Sequence, residues 1–247
     1  MRRGATIRPP SRHAAQHTEP CDDGWHQEPL PPLRTRVDPD ASRSVIAWNE
    51  SPDIPFDRSV NPYRGCEHGC VYCYARPGHA WLGLSPGLDF ETRLFAKADA
   101  AALLREELAA PSYRCAPIAL GAVTDVYQPI ERGRRITRAV LELLAELRHP
   151  VTVVTKSALI ERDLDVLADL ARDRLVQVQL SVTTLRGELA RRLEPRAASP
   201  HRRLEAVARL REAGIPVGVL VAPVVPVLTD SELETVLAAA RDAGAGA

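Results

Sequence analysis

Three cysteines stand within eight residues, Cys66, Cys70 and Cys73, in the stretch NPYRGCEHGCVYCYARPGHA between Asn61 and Ala80. Five cysteines in all, three of them crowded together, make a poor disulfide framework, whereas reduced thiols are available as metal ligands. The spacing therefore points to a metal held by one loop. No fourth thiol is close in sequence. A zinc site would have to complete its shell with His68 or His79.

A loop of ligands needs a scaffold, and the rest of the chain supplies the pattern of one. Four short, β-branched, nearly continuously apolar runs, PIALGAVT (117–124), VTVVTKS (151–157), VQVQLSVTT (176–184) and PVGVLVAP (216–223), read as parallel strands covered on both faces. Amphipathic helices alternate with them, carried by Leu103, Leu104 and Leu108; by Val140, Leu143, Leu144 and Leu147; by Leu164, Leu167, Ala168 and Ala171; by Leu204, Val207 and Ala208; and by Leu233, Val236, Leu237 and Ala240. Ser199 before Pro200 reads as an N-cap, Thr229 with Glu232 as a capping box, and Gly214 and Gly244 as helix stops. Counting the segment that leads into the cysteines, five strand and helix units emerge, an α/β architecture that is either a barrel or an open sheet. The pattern reaches Ala247 directly after a helix, so the expectation is an open sheet or a chain truncated after the fifth unit. Residues 1–57, with Pro9 and Pro31 in proline pairs and no periodicity, read as a disordered or loosely attached arm, and 58–247 as the core domain.

The 247 residues, 45% hydrophobic and 26% charged, suffice for a full-sized core. Net charge is zero, so no global attraction to nucleic acid or membrane follows. There is no spanning apolar run, and MRRGATIRPPSRH lacks the apolar segment of a signal peptide; a cytoplasmic location and no membrane partner are expected. Lys97 and Lys156 are the only lysines among 32 basic residues, which gives any single arginine little weight.

In parallel α/β folds ligands gather at the carboxyl ends of the strands. That rim collects the cysteine loop, Asp125 and Gln128, Lys156, and Ser181 with Thr183. Asp125 and Gln128 read equally well as turn residues. An ammonium such as Lys156 at the end of an apolar strand calls for an anionic partner. His79 reads as a packed loop residue. Cys115 precedes its strand and belongs at the opposite end, a structural thiol if anything, and Cys21 in the arm likewise. Arg191, Arg192, Arg196, His201, Arg202 and Arg203 follow the fourth apolar run. They are either surface arginines paired with Glu194 and Glu205 or an anion-binding mouth for nucleic acid, through Arg192, Arg196, Arg202 and Arg203.

With Tyr72 just before its last cysteine, C-x3-C-x2-C resembles the signature of the radical S-adenosylmethionine (SAM) enzymes. Together with GLSPGLDFETRLFAK, GAVTDVYQPIE, VTKSALIERDLDVL, LSVTT and LEPRAASPHRRLEAVARLREAGIPVGVLVAPVVPVLTD, the chain from about Arg43 resembles the bacterial members related to spore photoproduct lyase. The resemblance implies a partial (β/α)6 barrel and a 4Fe–4S cluster held by Cys66, Cys70 and Cys73, with the fourth iron left to SAM. It implies reductive cleavage of SAM to a 5'-deoxyadenosyl radical that abstracts a hydrogen atom from an unidentified substrate, with an electron donor such as flavodoxin or ferredoxin. It places Tyr72 and Tyr74 beside the cluster, Tyr74 in a catalytic role, Lys156 and Ser181 as SAM contacts, and Asp125 and Gln128 at the methionine amino group of SAM, mainly through backbone. The lyase returns a hydrogen atom from a cysteine at a position that is Val123 here, so its repair route does not carry over. An iron–sulfur protein or inactive fragment that binds without turnover is the alternative.

Overall fold

β-Branched residues at alternate positions and helices with one apolar face dictate a layered α/β unit, which the computed structural model shows over residues 3–14 and 33–246. Strands β1 (Arg36–Pro39), β2 (Ile46–Trp48), β3 (Arg58–Val60) and β4 (Tyr63–Arg64) precede helix α1 (Leu88–Thr92), strand β5 (Arg93–Ala96) and helix α2 (Ala100–Leu108). There follow β6 (Ile118–Leu120), α3 (Glu131–Arg134), α4 (Ile136–Glu146), β7 (Val151–Thr155), α5 (Leu164–Arg172), β8 (Val176–Ser181), α6 (Gly187–Leu193), α7 (Pro200–Glu212), β9 (Val217–Leu220) and α8 (Leu233–Asp242). The main sheet runs β2-β3-β6-β7-β8-β9, parallel from β3 to β9, with β2 antiparallel at one edge. Five parallel strands appear, as the sequence predicts, and the sheet stays open between β2 and β9.

One face of the sheet is packed and the other is not. Ile118, Leu120, Val151, Val153, Val178 and Leu180 meet Leu104, Val140, Leu144, Leu167, Leu170, Val207 and Leu210 from the helices in a single core. Each fully buried Leu or Val side chain stabilises the fold by about 1.5–3 kcal/mol. Thr152, Val154, Gln177 and Gln179 alternate onto the opposite face, where they are half-buried or exposed. The expectation of strands covered on both faces is therefore corrected.

Ser199 caps α7 as expected, accepting from the Arg202 N–H, and Gly214 and Gly244 take φ of 76° and 92° at helix ends. The expected Thr229–Glu232 capping box does not form. Glu232 instead accepts from the Thr184 hydroxyl and the Leu185 N–H, and Thr229 accepts from the Val225 N–H. Strand β6 stops at Leu120 because Gly121 turns there with φ of 93°, where a Cβ would lie 2.5 Å from the Val154 carbonyl oxygen.

The described residues of the arm expected over 1–57 pack on the core, which corrects that expectation for them. β1 pairs with β5 in a second, three-stranded sheet, β2 pairs with β3, and Val45 and Ile46 are buried with their N–H groups on Glu107. These strands are too short to leave a periodic signal. Cys21 lies outside the described residues.

Candidate functional site

The cysteine loop begins where β4 ends. Gly65 and Gly69 take φ of 78° and 67°, and a Cβ on Gly65 would sit 2.7 Å from the Phe90 carbonyl oxygen, so both turns require glycine. Protein donors and acceptors hold the loop on every side. Cys66 N–H donates to the Phe90 carbonyl (3.0 Å), Val71 N–H to Leu193 (2.9 Å), and Arg196 N–H to the His68 carbonyl (3.2 Å). The Arg76 guanidinium donates to the Cys70 carbonyl from Nε (3.2 Å) and Nη2 (2.9 Å), and is itself anchored on Glu91 at 2.6 Å. Cys66 is buried, Cys70 and Cys73 are half-buried, and all three are free thiols.

Burial, then the charge of Asp125, pushes the Cys66 thiol up. Burial pushes Cys70 to about 12, against the pull of Lys156. Left bare, these two thiols keep their protons at neutral pH, whereas a bound metal cation reverses that preference outright. Three thiols on one loop are a soft donor set that suits an iron–sulfur cluster or zinc. Of the two histidines that could complete a zinc shell, His79 is used on protein, its Nε2 2.8 Å from the Arg93 carbonyl oxygen, while His68 Nδ1 lies 3.1 Å from Asp125 Oδ2 without hydrogen-bond alignment.

Asp125 and Gln128 both lie at the loop, and their side chains serve it. Gln128, fully buried, donates to the Gly65 carbonyl (3.1 Å) and Thr124 Oγ1 (3.1 Å) and accepts from the Glu67 N–H (2.8 Å), which uses its amide on protein. Asp125 joins the ends of β6 and β7: it accepts from Tyr127 N–H (2.9 Å), Thr155 Oγ1 (2.7 Å) and Lys156 N–H (2.7 Å). Burial opposes its charge, but His68 and these donors prevail and hold its carboxyl at about 2. The Gln128 amide is thus taken up by protein groups, and the contact expected of Asp125 and Gln128 runs mainly through backbone.

Lys156 is half-buried, with Nζ 5.9 Å from the centre of the Tyr72 ring and, among the described residues, no carboxylate within ion-pair distance. Ser181 is buried at the end of β8, its carbonyl accepting from Arg203 at 2.8 Å. Tyr72 hydrogen-bonds to Glu194, which also accepts from Thr183 Oγ1 (2.9 Å) and pairs with Arg203. Burial and the negative charge of Glu194 push the Tyr72 phenol up, so it stays a donor. Tyr74 is 75% exposed, its hydroxyl on the Ala122 carbonyl next to the half-exposed Val123.

The four-arginine mouth expected from the sequence is not assembled. Arg203 is buried against Glu194, Arg196 is paired with Glu67 at 3.0 Å, and Arg202 is paired with Glu161 (2.8 Å) and Glu205 (2.9 Å). Of those named, Arg192 remains exposed, beside Arg191. Sequence reasoning missed Glu91, Arg76 and the burial of Glu194. The one available signal is a carboxylate among arginines at the end of α6, which reads as a surface pair. Cys115 is exposed ahead of β6, away from the loop, as expected.

Comparison with known proteins places this geometry among relatives. A family model described as the radical SAM superfamily matches residues 60–240. An uncharacterised protein of Mycobacterium tuberculosis is 40% identical over 204 residues, covering 81% of this chain and 60% of that protein. One of Methanocaldococcus jannaschii is 28% identical over 173 residues, 70% of this chain and 62% of that protein. The chain thus spans about 60% of the length of the curated relatives it matches. Among solved structures, spore photoproduct lyase complexed with dinucleoside spore photoproduct has a TM-score of 0.59 at 18% identity, covering 81% of this chain and 57% of the other. A variant of that lyase with bound AdoMet and dinucleoside spore photoproduct has a TM-score of 0.56 at 18% identity, covering 76% and 50%. At that identity the likeness is one of fold.

Proposed function

Because the chain belongs to the radical SAM superfamily, which implies a 4Fe–4S cluster and SAM as cofactors, we propose that Cys66, Cys70 and Cys73 each bind one iron and leave the fourth iron to SAM. The observation that carries this reading is a pinned loop of three free thiols beside an ammonium, Lys156, that lacks an anionic partner among the described residues. The five parallel strands are read as part of a (β/α)6 barrel, with the chemistry housed from residue 58 onward. Held by these cysteines, a reduced cluster would supply the one electron for reductive cleavage of SAM, with methionine released and hydrogen-atom abstraction from substrate as the chemistry gained.

The chain's own residues bind and orient. Lys156 receives the SAM carboxylate, and Ser181 lies at the neighbouring strand end. Asp125 fixes the Lys156 backbone, and Gln128 fixes the loop at Gly65 and Glu67. Tyr72, locked to Glu194, walls the cluster side against water. Tyr74 is the exposed phenol next to Val123 and meets the substrate. Both lyase structures described above hold a dinucleoside spore photoproduct, so nucleic acid is the first substrate class to test. A flavodoxin or ferredoxin is the class of electron donor.

The test is anaerobic reconstitution with iron and sulfide, followed by dithionite and SAM. Formation of 5'-deoxyadenosine, lost together with the brown absorbance in Cys66→Ala, Cys70→Ala or Cys73→Ala, is the expected result. A protein that carries the cluster and yields no 5'-deoxyadenosine is a binding protein without turnover.

A further inference from the structure

The family match begins at residue 60, yet the start of the chain lies against the cysteine loop. Glu91, with no exposed surface, accepts from the N–H groups of Gly4 (2.9 Å) and Ala5 (2.7 Å) while it anchors Arg76 (2.6 Å), the residue that grips the Cys70 carbonyl. Arg3 donates to the Glu91 backbone carbonyl (2.7 Å) and to Thr35 Oγ1 (2.9 Å), and Thr35 in turn bonds Glu67, between the first two cysteines. The approach is close at Gly4, where a Cβ would lie 1.7 Å from the Gly69 carbonyl oxygen, in the turn just before Cys70. The segment continues along the same face: Leu88 N–H donates to the Ile7 carbonyl (3.1 Å), and Ser11 Oγ to the Ala80 carbonyl (2.8 Å).

We propose that residues 3–11 are a positioning latch for the cysteine loop, acting through Glu91 and Arg76 to hold the Gly69–Cys70 turn in its metal-binding shape. The inference rests on the assignment of that loop as the cluster site. A buried carboxylate that divides its oxygens between the segment's amides and the guanidinium couples the two, because losing either set of donors leaves its charge underbonded.

The test uses full-length Gly4→Val, which displaces the segment sterically, and Glu91→Gln, which keeps the shape and removes the charge. Arg105→Ala, at the exposed pair with Glu146 outside the segment and the loop, is the control. In cluster-free protein, hydrogen exchange of amides in residues 66–76 is expected to rise about tenfold or more in both variants, the opening factor for one lost bond to a charged acceptor, and to stay unchanged in the control. In reconstituted protein, iron loss to a chelator is expected to accelerate by a similar factor. Wild-type exchange and iron release in Gly4→Val overturn the latch. Acceleration that extends equally to the core strands also overturns it, since the segment would then be general structural support. A wild-type protein that binds no cluster refutes the metal assignment alone, and the exchange data on cluster-free protein still decide the latch.

Discussion

Asp125→Asn tests whether the carboxylate between β6 and β7 organises the rim. The native side chain accepts from two backbone N–H groups and one hydroxyl, and an asparagine must turn its NH2 toward one of those donors. The native carboxyl sits at about 2 against an ordinary 3.8, and at about 1.36 kcal/mol per pH unit its ionisation contributes roughly 2.4 kcal/mol at neutral pH. The donor left unpaired costs about 1–3 kcal/mol more. The variant should therefore lose about 3–5 kcal/mol at pH 7, a fall in Tm of about 6–20 °C for a chain of this size. The pH dependence has a definite sign. A depressed carboxyl stabilises fully above its unfolded value and loses that contribution as pH falls through the folded value. The charge-dependent part of the difference should thus shrink by about half by pH 3 and approach zero below about pH 2. Urea titrations of cluster-free protein, wild type against variant, read both quantities. A loss under about 1 kcal/mol, or a difference independent of pH down to 3, refutes the reasoning.

Glu194→Gln strands the buried Arg203 guanidinium and should cost about 3–5 kcal/mol in urea titration, whereas Glu146→Gln, at a pair with Arg105 whose side chains are 59% and 51% exposed, should cost under about 1 kcal/mol. Lys156→Met should keep the iron content and brown absorbance while weakening SAM about 10- to 100-fold, the worth of one charge-assisted bond, read by anaerobic calorimetry. Any nucleic-acid affinity should show a salt slope that falls by at most about two when Arg191 and Arg192 are both changed to Gln, and Arg203→Gln should instead unfold the protein at lower urea.

The repeating units were legible because burial of one helix face and one sheet face imposes periodicities that composition preserves: β7, β8, α4 and α5 lie close to where their apolar spacing puts them. The cysteines were legible because ligands on one loop must be close in sequence. What the sequence hid was partnership at long range. Arg203 and Arg192 look alike in a row of arginines, yet one is buried on Glu194 and the other faces solvent. Gln128 and Asp125 read as rim residues from their place after a strand, but only the fold shows their side chains turned onto the loop and onto β7. Strands as short as β1 and β2 carry no alternation to read, so their residues look like arm in the sequence.

The hydrogen bonds that fix the backbone from Gly65 to Arg76 come from protein groups. Ordering these twelve residues costs on the order of 10–20 kcal/mol in conformational entropy, and bonds between protein groups predict that this cost is met when the chain folds and not when metal binds. Small zinc domains work the other way, since metal binding and folding there are one event. For this chain the two should be separable: a chelator should strip iron and leave secondary structure intact, and metal affinity should carry little of the ordering term. Assembly of a cluster would then be limited by delivery of iron and sulfide to thiols that keep their protons, because the loop that receives them has already taken its shape.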